Sequence, residues 1–338
     1  MRKDWKNALY SYVNQFNRTE IDYRQPADQV VVTDLDHLMR KSNRMHMLKE
    51  WYQARESTPL RNETRTKLLR TREGEGEVVV DLEFQTRRIY EKRHIAHVEE
   101  RLEQERITLN KDGNTWIITR IEQNIPERHP EERRTEKEEI VSHPEQQTSE
   151  HIPSIPLLNT DVLGMSKSWR AKSYARERAV QYADQWWNGN NPEFLAFEVD
   201  CTNYISQCLV AGGGPIHYTG KRETGWWYRG MVNNQEAWSY SWAVANALNN
   251  YLNHSDSYLQ AAPVERPSDL QLGDVISYDW DGDGRYQHSA IVTAFDAGGM
   301  PLVNAHTTNS RHRYWDYRDS YAHTERTQYR FFHIMDWF

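Results

Sequence analysis

The chain has only two cysteines, Cys201 and Cys208, in 338 residues. On one helix, seven residues separate them by ~10 Å along the axis, which is too far for a disulfide. Two thiols also cannot complete a zinc site without histidines. Free thiols are therefore expected, one of them chemically active. No apolar run approaches the ~18 residues of a membrane span. Met1–Tyr10 is charged and lacks the apolar centre of a signal peptide. That points to a cytoplasmic protein, unless a leader has been removed or export is non-classical. Basic residues are not in excess either: 42 Lys and Arg stand against 49 Asp and Glu, a formal net charge of −7. This argues against nucleic acid as a partner. No internal repeat is visible, and no cofactor is expected.

A hydrophobic content of 38% and a charged content of 27% suit a globular chain with polar connecting sequence, and the length suggests two domains. Residues 1–128 read as a small α+β unit. Apolar spacing predicts helices over Lys6–Phe16 and Leu35–Ala54. Alternation predicts a strand over Glu77–Phe84, two charged strands within His94–Leu109, and a last strand over Asn114–Ile121 after the Asp112-Gly113 turn. In outline this is similar to cystatin-like or NTF2-like folds. Its charged strands offer a docking surface for a protein partner. Residues 129–160 hold a mixed charge run, Glu131–Glu139, and a stretch rich in Pro, Gln and Ser, a composition that reads as a linker.

Residues 161–338 hold ten of the 13 tryptophans, which suits a second, aromatic core. A helix is expected over Ser168–Trp187, with Tyr174 on its apolar stripe. Asp200 reads as the N-cap of a helix from Cys201 to about Val210, stopped by Gly212-Gly213-Gly214. Ser241 reads as the cap of a third helix reaching Leu252. Strands are expected over Asp274–Tyr278, His288–Phe295, Pro301–Thr307 and Gln328–Met335. Helices followed by an antiparallel sheet make this unit α+β as well.

Cys201 is the candidate nucleophile. In the first turn of a helix, unpaired N–H groups and the helix dipole favour a thiolate, and its own N–H can hold an oxyanion. Asp200 opposes this, because a neighbouring carboxylate raises a thiol pKa. His288 opens the apolar run Ser289–Thr293 and can face that helix as a base. Asn304 and His306 alternate on a strand, so they share one face, and either can orient the His288 ring. Cys208, among apolar neighbours, reads as core.

Four strings carry a resemblance: Tyr174–Ala183, Asp200–Gln207, Asp281–Val292 and Asn304–Thr307. They resemble the bacterial "Putative amidase domain" family, which is similar to the NlpC/P60 and CHAP branches of the papain-like cysteine hydrolases. The likeness covers roughly residues 166–338. It implies a papain-like fold and a Cys–His–polar triad of Cys201, His288 and His306, with Asn304 as the alternative third member. It also implies amide hydrolysis through a thioester, with cell-wall peptides as the substrate class, and a tyrosine near the oxyanion hole, for which Tyr174 is the candidate. The competing reading is a non-catalytic binding or scaffold module on the same fold.

Two further features invite function. Asp279, Asp281 and Asp283 alternate as in the first half of a calcium loop, but Ala290 stands where a complete EF-hand needs its twelfth ligand. The acidic turn is the simpler expectation, with calcium as the alternative. Trp226 and Trp227 lie in a Gly-flanked stretch and are candidates for a substrate groove wall.

Overall fold

The computed structural model describes residues 5–22, 32–127, 173–254 and 257–338. The expected linker, the charge run and residues 168–172 of the expected helix lie outside these. In the first unit, α1 (Trp5–Asp22) and α2 (Leu35–Ala54) precede β1 (Ser57–Glu73), β2 (Glu77–Lys92), β3 (Ile95–Asp112) and β4 (Thr115–Gln123). Asp34 caps α2 by accepting the His37 N–H at 3.0 Å. The alternation in β2 buries Val78, Val80, Leu82 and Phe84 beneath Trp5, Leu9 and Tyr12 of α1. The two strands expected within His94–Leu109 are one continuous strand, β3, because β2 turns at Arg93 and His94, both at positive φ, and pairs with it along its whole length.

The second unit supplies α3 (Arg176–Trp186), α4 (Cys201–Ala211), the hairpin of β5 (Tyr228–Val232) and β6 (Gln235–Trp238), and α5 (Tyr240–Ala243) and α6 (Ala245–Leu252). Strands β7 (Ala261–Val264), β8 (Val275–Asp279), β9 (His288–Phe295), β10 (Pro301–Ala305), β11 (Ser310–Tyr314) and β12 (Gln328–Ile334) follow. The helix expected from Ser241 is two pieces, broken at Val244, which is extended. Ser241 donates its hydroxyl to the Gly225 carbonyl instead of capping.

The two units share one ten-stranded antiparallel sheet, ordered β1-β2-β3-β11-β10-β9-β8-β12-β7 with β4 beside the far half of β3. The join is short. Arg101 pairs with Ser310 and Glu100 with Arg311, and the Leu102 N–H donates to the Asn309 carbonyl at 2.8 Å. In the second unit one face of the sheet carries Val275, Ile291, Phe332 and Ile334 against Tyr204, Ile205, Cys208 and Leu209 of α4. The opposite face carries Ile276, Tyr278, Ala290, Val292, Val303 and Ala305 with Trp280 and Tyr317. The end of the first unit covers that second face: Ile125 packs there, and Trp280 Nε1 donates to the Glu127 carbonyl at 2.9 Å.

Buried charges cluster at the seam between the units, some pairs within one unit and some across it. Arg101 contacts Glu99 and Asp319, Arg88 contacts Glu20, and Arg313 lies 3.3 Å from Glu127 and 3.2 Å from Asp319. Lys92 Nζ reaches Asp296 Oδ2 at 2.9 Å. Removing one member of such a network strands its buried partners without compensation. Arg101→Met is therefore expected to destabilise the protein by about 3 kcal/mol in urea unfolding. An unchanged midpoint and slope would show that the network carries no stability.

Candidate functional site

Asp200 and Cys201 sit where α4 begins. The Asp200 carboxylate is not a helix cap: no backbone N–H of α4 donates to it. Its Oδ1 accepts the Phe197 N–H at 3.2 Å and Asn203 Nδ2 at 2.8 Å. Its Oδ2 lies 2.7 Å from His306 Nδ1. The other ring nitrogen of His306 lies 2.8 Å from the Trp186 carbonyl, and the ring stacks on Tyr204 with centroids 3.9 Å apart. Both neighbours of the ring are acceptors, so both bonds form together when each nitrogen carries a hydrogen. Sheet and helix are thus tied at one point: Asp200 directly precedes α4, which supplies Tyr204, α3 supplies Trp186, and the residue just after β10 supplies the imidazole.

The Cys201 side chain is 2% exposed. Its N–H donates to Thr307 Oγ1 at 3.1 Å, and its Sγ lies 3.6 Å from Thr202 Oγ1. Burial pushes the thiol above its ordinary pKa. Hydrogen bonds from Thr202, Thr307 and the Ser289 N–H pull the other way, and Asp200 adds to the rise. At neutral pH the sulfur is therefore a thiol. Cys208 is fully buried in the core under α4 and is also held protonated by burial.

His288 does not join Cys201. Strand alternation puts its side chain with Ala290 and Val292, on the face away from α4, whereas Ser289 and Ile291 face the helix. The ring is enclosed by Tyr278, Trp280 and Tyr317, with centroids 5.4, 5.8 and 5.3 Å away. Neither of its nitrogens has a hydrogen-bond partner. Burial lowers its pKa to about 4; Glu127 works against that shift and Arg313 with it. The expectation that His306 or Asn304 orients His288 fails for the same reason, because both lie on the α4 face. Asn304 instead accepts Thr293 Oγ1 at 2.8 Å and the His312 N–H at 2.9 Å, and it donates to Asp184 Oδ1 at 3.0 Å.

Tyr174 lies just ahead of α3, beside the opposite end of α4. Its hydroxyl donates to the Gly273 carbonyl at 2.9 Å, and its ring fills the space where a Gly212 Cβ would sit, 2.3 Å from Cε2. The length of α4 puts it about 16 Å from Cys201 along the helix, so it is a packing residue and not an oxyanion donor. Trp226 and Trp227 are 0% and 3% exposed and form no groove wall. Trp226 Nε1 donates to Ser206 at 3.0 Å, and Trp227 Nε1 donates to the Thr224 carbonyl at 3.1 Å.

The acidic turn holds itself together. Asp279 is buried and accepts the N–H groups of Asp281, Gly282, Asp283 and Gly284. Asp283 accepts the Arg285 N–H at 2.8 Å, and Asp281 lies 4.0 Å from Arg326. Among the described residues, no group of three or more His, Cys, Asp and Glu side chains converges as metal ligands do.

Sequence reasoning missed Thr307, Ser289 and Asp184. Thr307 and Ser289 directly follow the two histidines that were singled out, so chain adjacency was the available signal. Asp184 binds Asn304 and, at 2.9 Å, Arg311. Burial raises its pKa, but hydrogen bonds from His312, Arg311 and Asn304 outweigh this and hold the carboxyl well below its usual range.

Residues 173–332 match the family model described as "Putative amidase domain". Two proteins of Bacillus subtilis (strain 168) are similar to this chain. One, described as "Uncharacterized protein YhbB", is 50% identical over 167 residues, covering 49% of this chain and 52% of the relative. The other, described as "Uncharacterized protein YjcM", is 29% identical over 147 residues, covering 41% of this chain and 32% of the relative. The chain thus spans about half the length of the first relative and about a third of the second.

The His288 environment has a pH signature. The unfolded chain takes up a proton near the ordinary histidine pKa of 6.5, whereas the folded ring resists until about 4. Stability is therefore expected to fall as pH drops through that window. His288→Phe should reduce the loss in Tm between pH 7.5 and pH 5; an equal loss in both proteins would contradict the burial of a neutral ring.

Proposed function

We propose that residues 173–332 form a papain-like, cysteine-dependent amide hydrolase with Cys201 as nucleophile, acting on peptide amides of the cell-wall type. The observation that carries this reading is the Asp200–His306 pair beside the Cys201 helix terminus, together with the family match over the same residues. A carboxylate that fixes an imidazole next to a nucleophile's helix is the base-and-orienter half of a catalytic triad. The described geometry supports His306 as the base rather than His288, because His306 stands on the sheet face that carries α4.

In this reading the neutral form of His306 reacts: Asp200 keeps its bond to Nδ1–H, and the unprotonated Nε2, turned away from the Trp186 carbonyl, takes the thiol proton. The thiolate attacks the amide carbonyl, and the Cys201 N–H stabilises the oxyanion. Nε2–H then protonates the departing amine. Water attacks the thioester, releasing the acid and restoring the thiol. The substrate class follows the resemblance to NlpC/P60 and CHAP enzymes.

A second reading is a non-hydrolytic module on the same fold, and the covered sulfur with its raised pKa favours it. Soluble peptidoglycan peptides separate the two. The hydrolase reading expects Cys201→Ala to be inactive. It expects His306→Gln to lose about 10²- to 10⁴-fold in kcat/KM, the usual contribution of a general base, and His288→Phe to retain most activity. Equal loss in His288→Phe and His306→Gln, with both proteins folded, would return the base to His288. No turnover by the unaltered protein on any such peptide would favour the module.

A further inference from the structure

The Cys201 N–H is already occupied. Its partner, Thr307, has φ of 81°, a left-handed conformation that a β-branched residue adopts only when its surroundings impose it. The surroundings here are identifiable. On one side of Thr307, His306 is fixed by Asp200 and the Trp186 carbonyl. On the other, the Asn309 carbonyl accepts the Leu102 N–H at 2.8 Å and Ser310 pairs with Arg101, both on β3 of the first unit. Four residues, His306 to Asn309, thus cross from the site of the second unit to a strand of the first. The strained member places its hydroxyl oxygen 3.1 Å from the Cys201 nitrogen. That oxygen has the position and hydrogen-bond role that a carbonyl oxygen would take during attack by the Cys201 sulfur.

We propose that Thr307 is a built-in occupant of the oxyanion position, held there by β3 of the first unit, and that the substrate's acyl oxygen displaces its hydroxyl before the thiol reacts. This rests on the reading of Cys201 as nucleophile. It gives the first unit a role at the site, since the pairing that joins the units also fixes the turn that fills the position. No bond is made or broken in the displacement; the Cys201 N–H exchanges one oxygen acceptor for another, and the Thr307 hydroxyl moves into space vacated by the turn.

The test uses the full chain and three variants. Thr307→Val keeps the shape and removes the hydroxyl, Thr307→Gly also relieves the positive φ, and Thr307→Ser keeps the hydroxyl. Two quantities are read: amide hydrogen exchange at Cys201, and the rate of Cys201 acylation by p-nitrophenyl acetate relative to its alkylation by iodoacetamide. Acylation needs an oxyanion site, whereas alkylation needs only an accessible thiolate. Removing one hydrogen bond from the N–H is expected to raise the exchange rate and the acylation-to-alkylation ratio about tenfold in the Val and Gly variants. The Ser variant should behave as the unaltered protein. Unchanged Cys201 exchange in Thr307→Val would overturn the proposal, as would a ratio that stays level or falls. Faster exchange with no acylation in any form would overturn both the oxyanion role and the hydrolase reading. Acylation of the unaltered protein with an unchanged ratio would overturn this inference alone.

Discussion

The pairing of Asp200 with His306 is the interaction on which the rest of the site depends. It joins the first residue before α4 to the residue just after β10, and the stacking of His306 on Tyr204 extends the contact one helical turn further. Both side chains are nearly fully buried. Each is tolerable there because its polar atoms are matched: Asp200 accepts from three residues, and His306 has an acceptor at each nitrogen. The consequence is positional. With Asp200 and His306 locked, their chain neighbours Cys201 and Thr307 are brought together, and the backbone N–H of one meets the hydroxyl of the other.

This arrangement explains why the sulfur is quiet. A cysteine at a helix N-terminus is commonly activated, but here burial and Asp200 both raise the thiol pKa, while the opposing hydrogen bonds come from neutral groups. Reactivity requires a nearby positive charge or a change in exposure. In the proposed mechanism that charge appears on His306 once it has taken the thiol proton. The second unit thus gathers Asp200, Cys201, His306 and Thr307 into one small region while keeping the sulfur covered.

Much of this was legible in the residues. The apolar alternation of Glu77–Phe84 marked β2, the run after His288 marked β9 with its observed limits, and the glycines after Val210 marked the end of α4. Other features could not be read. β1 is a long edge strand rich in Thr and Arg, largely exposed, so it offers neither alternation nor an apolar run. The side of the sheet taken by His288 was also hidden, because β9 is buried on both faces and its apolar residues follow one another without alternation. Only the packing of Ile291 against α4 reveals that His288 points away. The tryptophans misled for a related reason: a Gly-flanked stretch suggests a surface loop, yet Trp226 packs at a tilt against Trp242 and satisfies its N–H internally.

Whether Cys201 carries the acyl group in amide hydrolysis is answered by trapping the intermediate. The protein is quenched in acid during turnover of soluble peptidoglycan peptides, digested, and mapped by mass. A thioester-linked acyl group is expected on the peptide containing Cys201 and none on the peptide containing only Cys208, when the two are separated by cleavage after Tyr204. Turnover with no acyl group on Cys201, or with the acyl group on another residue, would contradict Cys201 as the nucleophile.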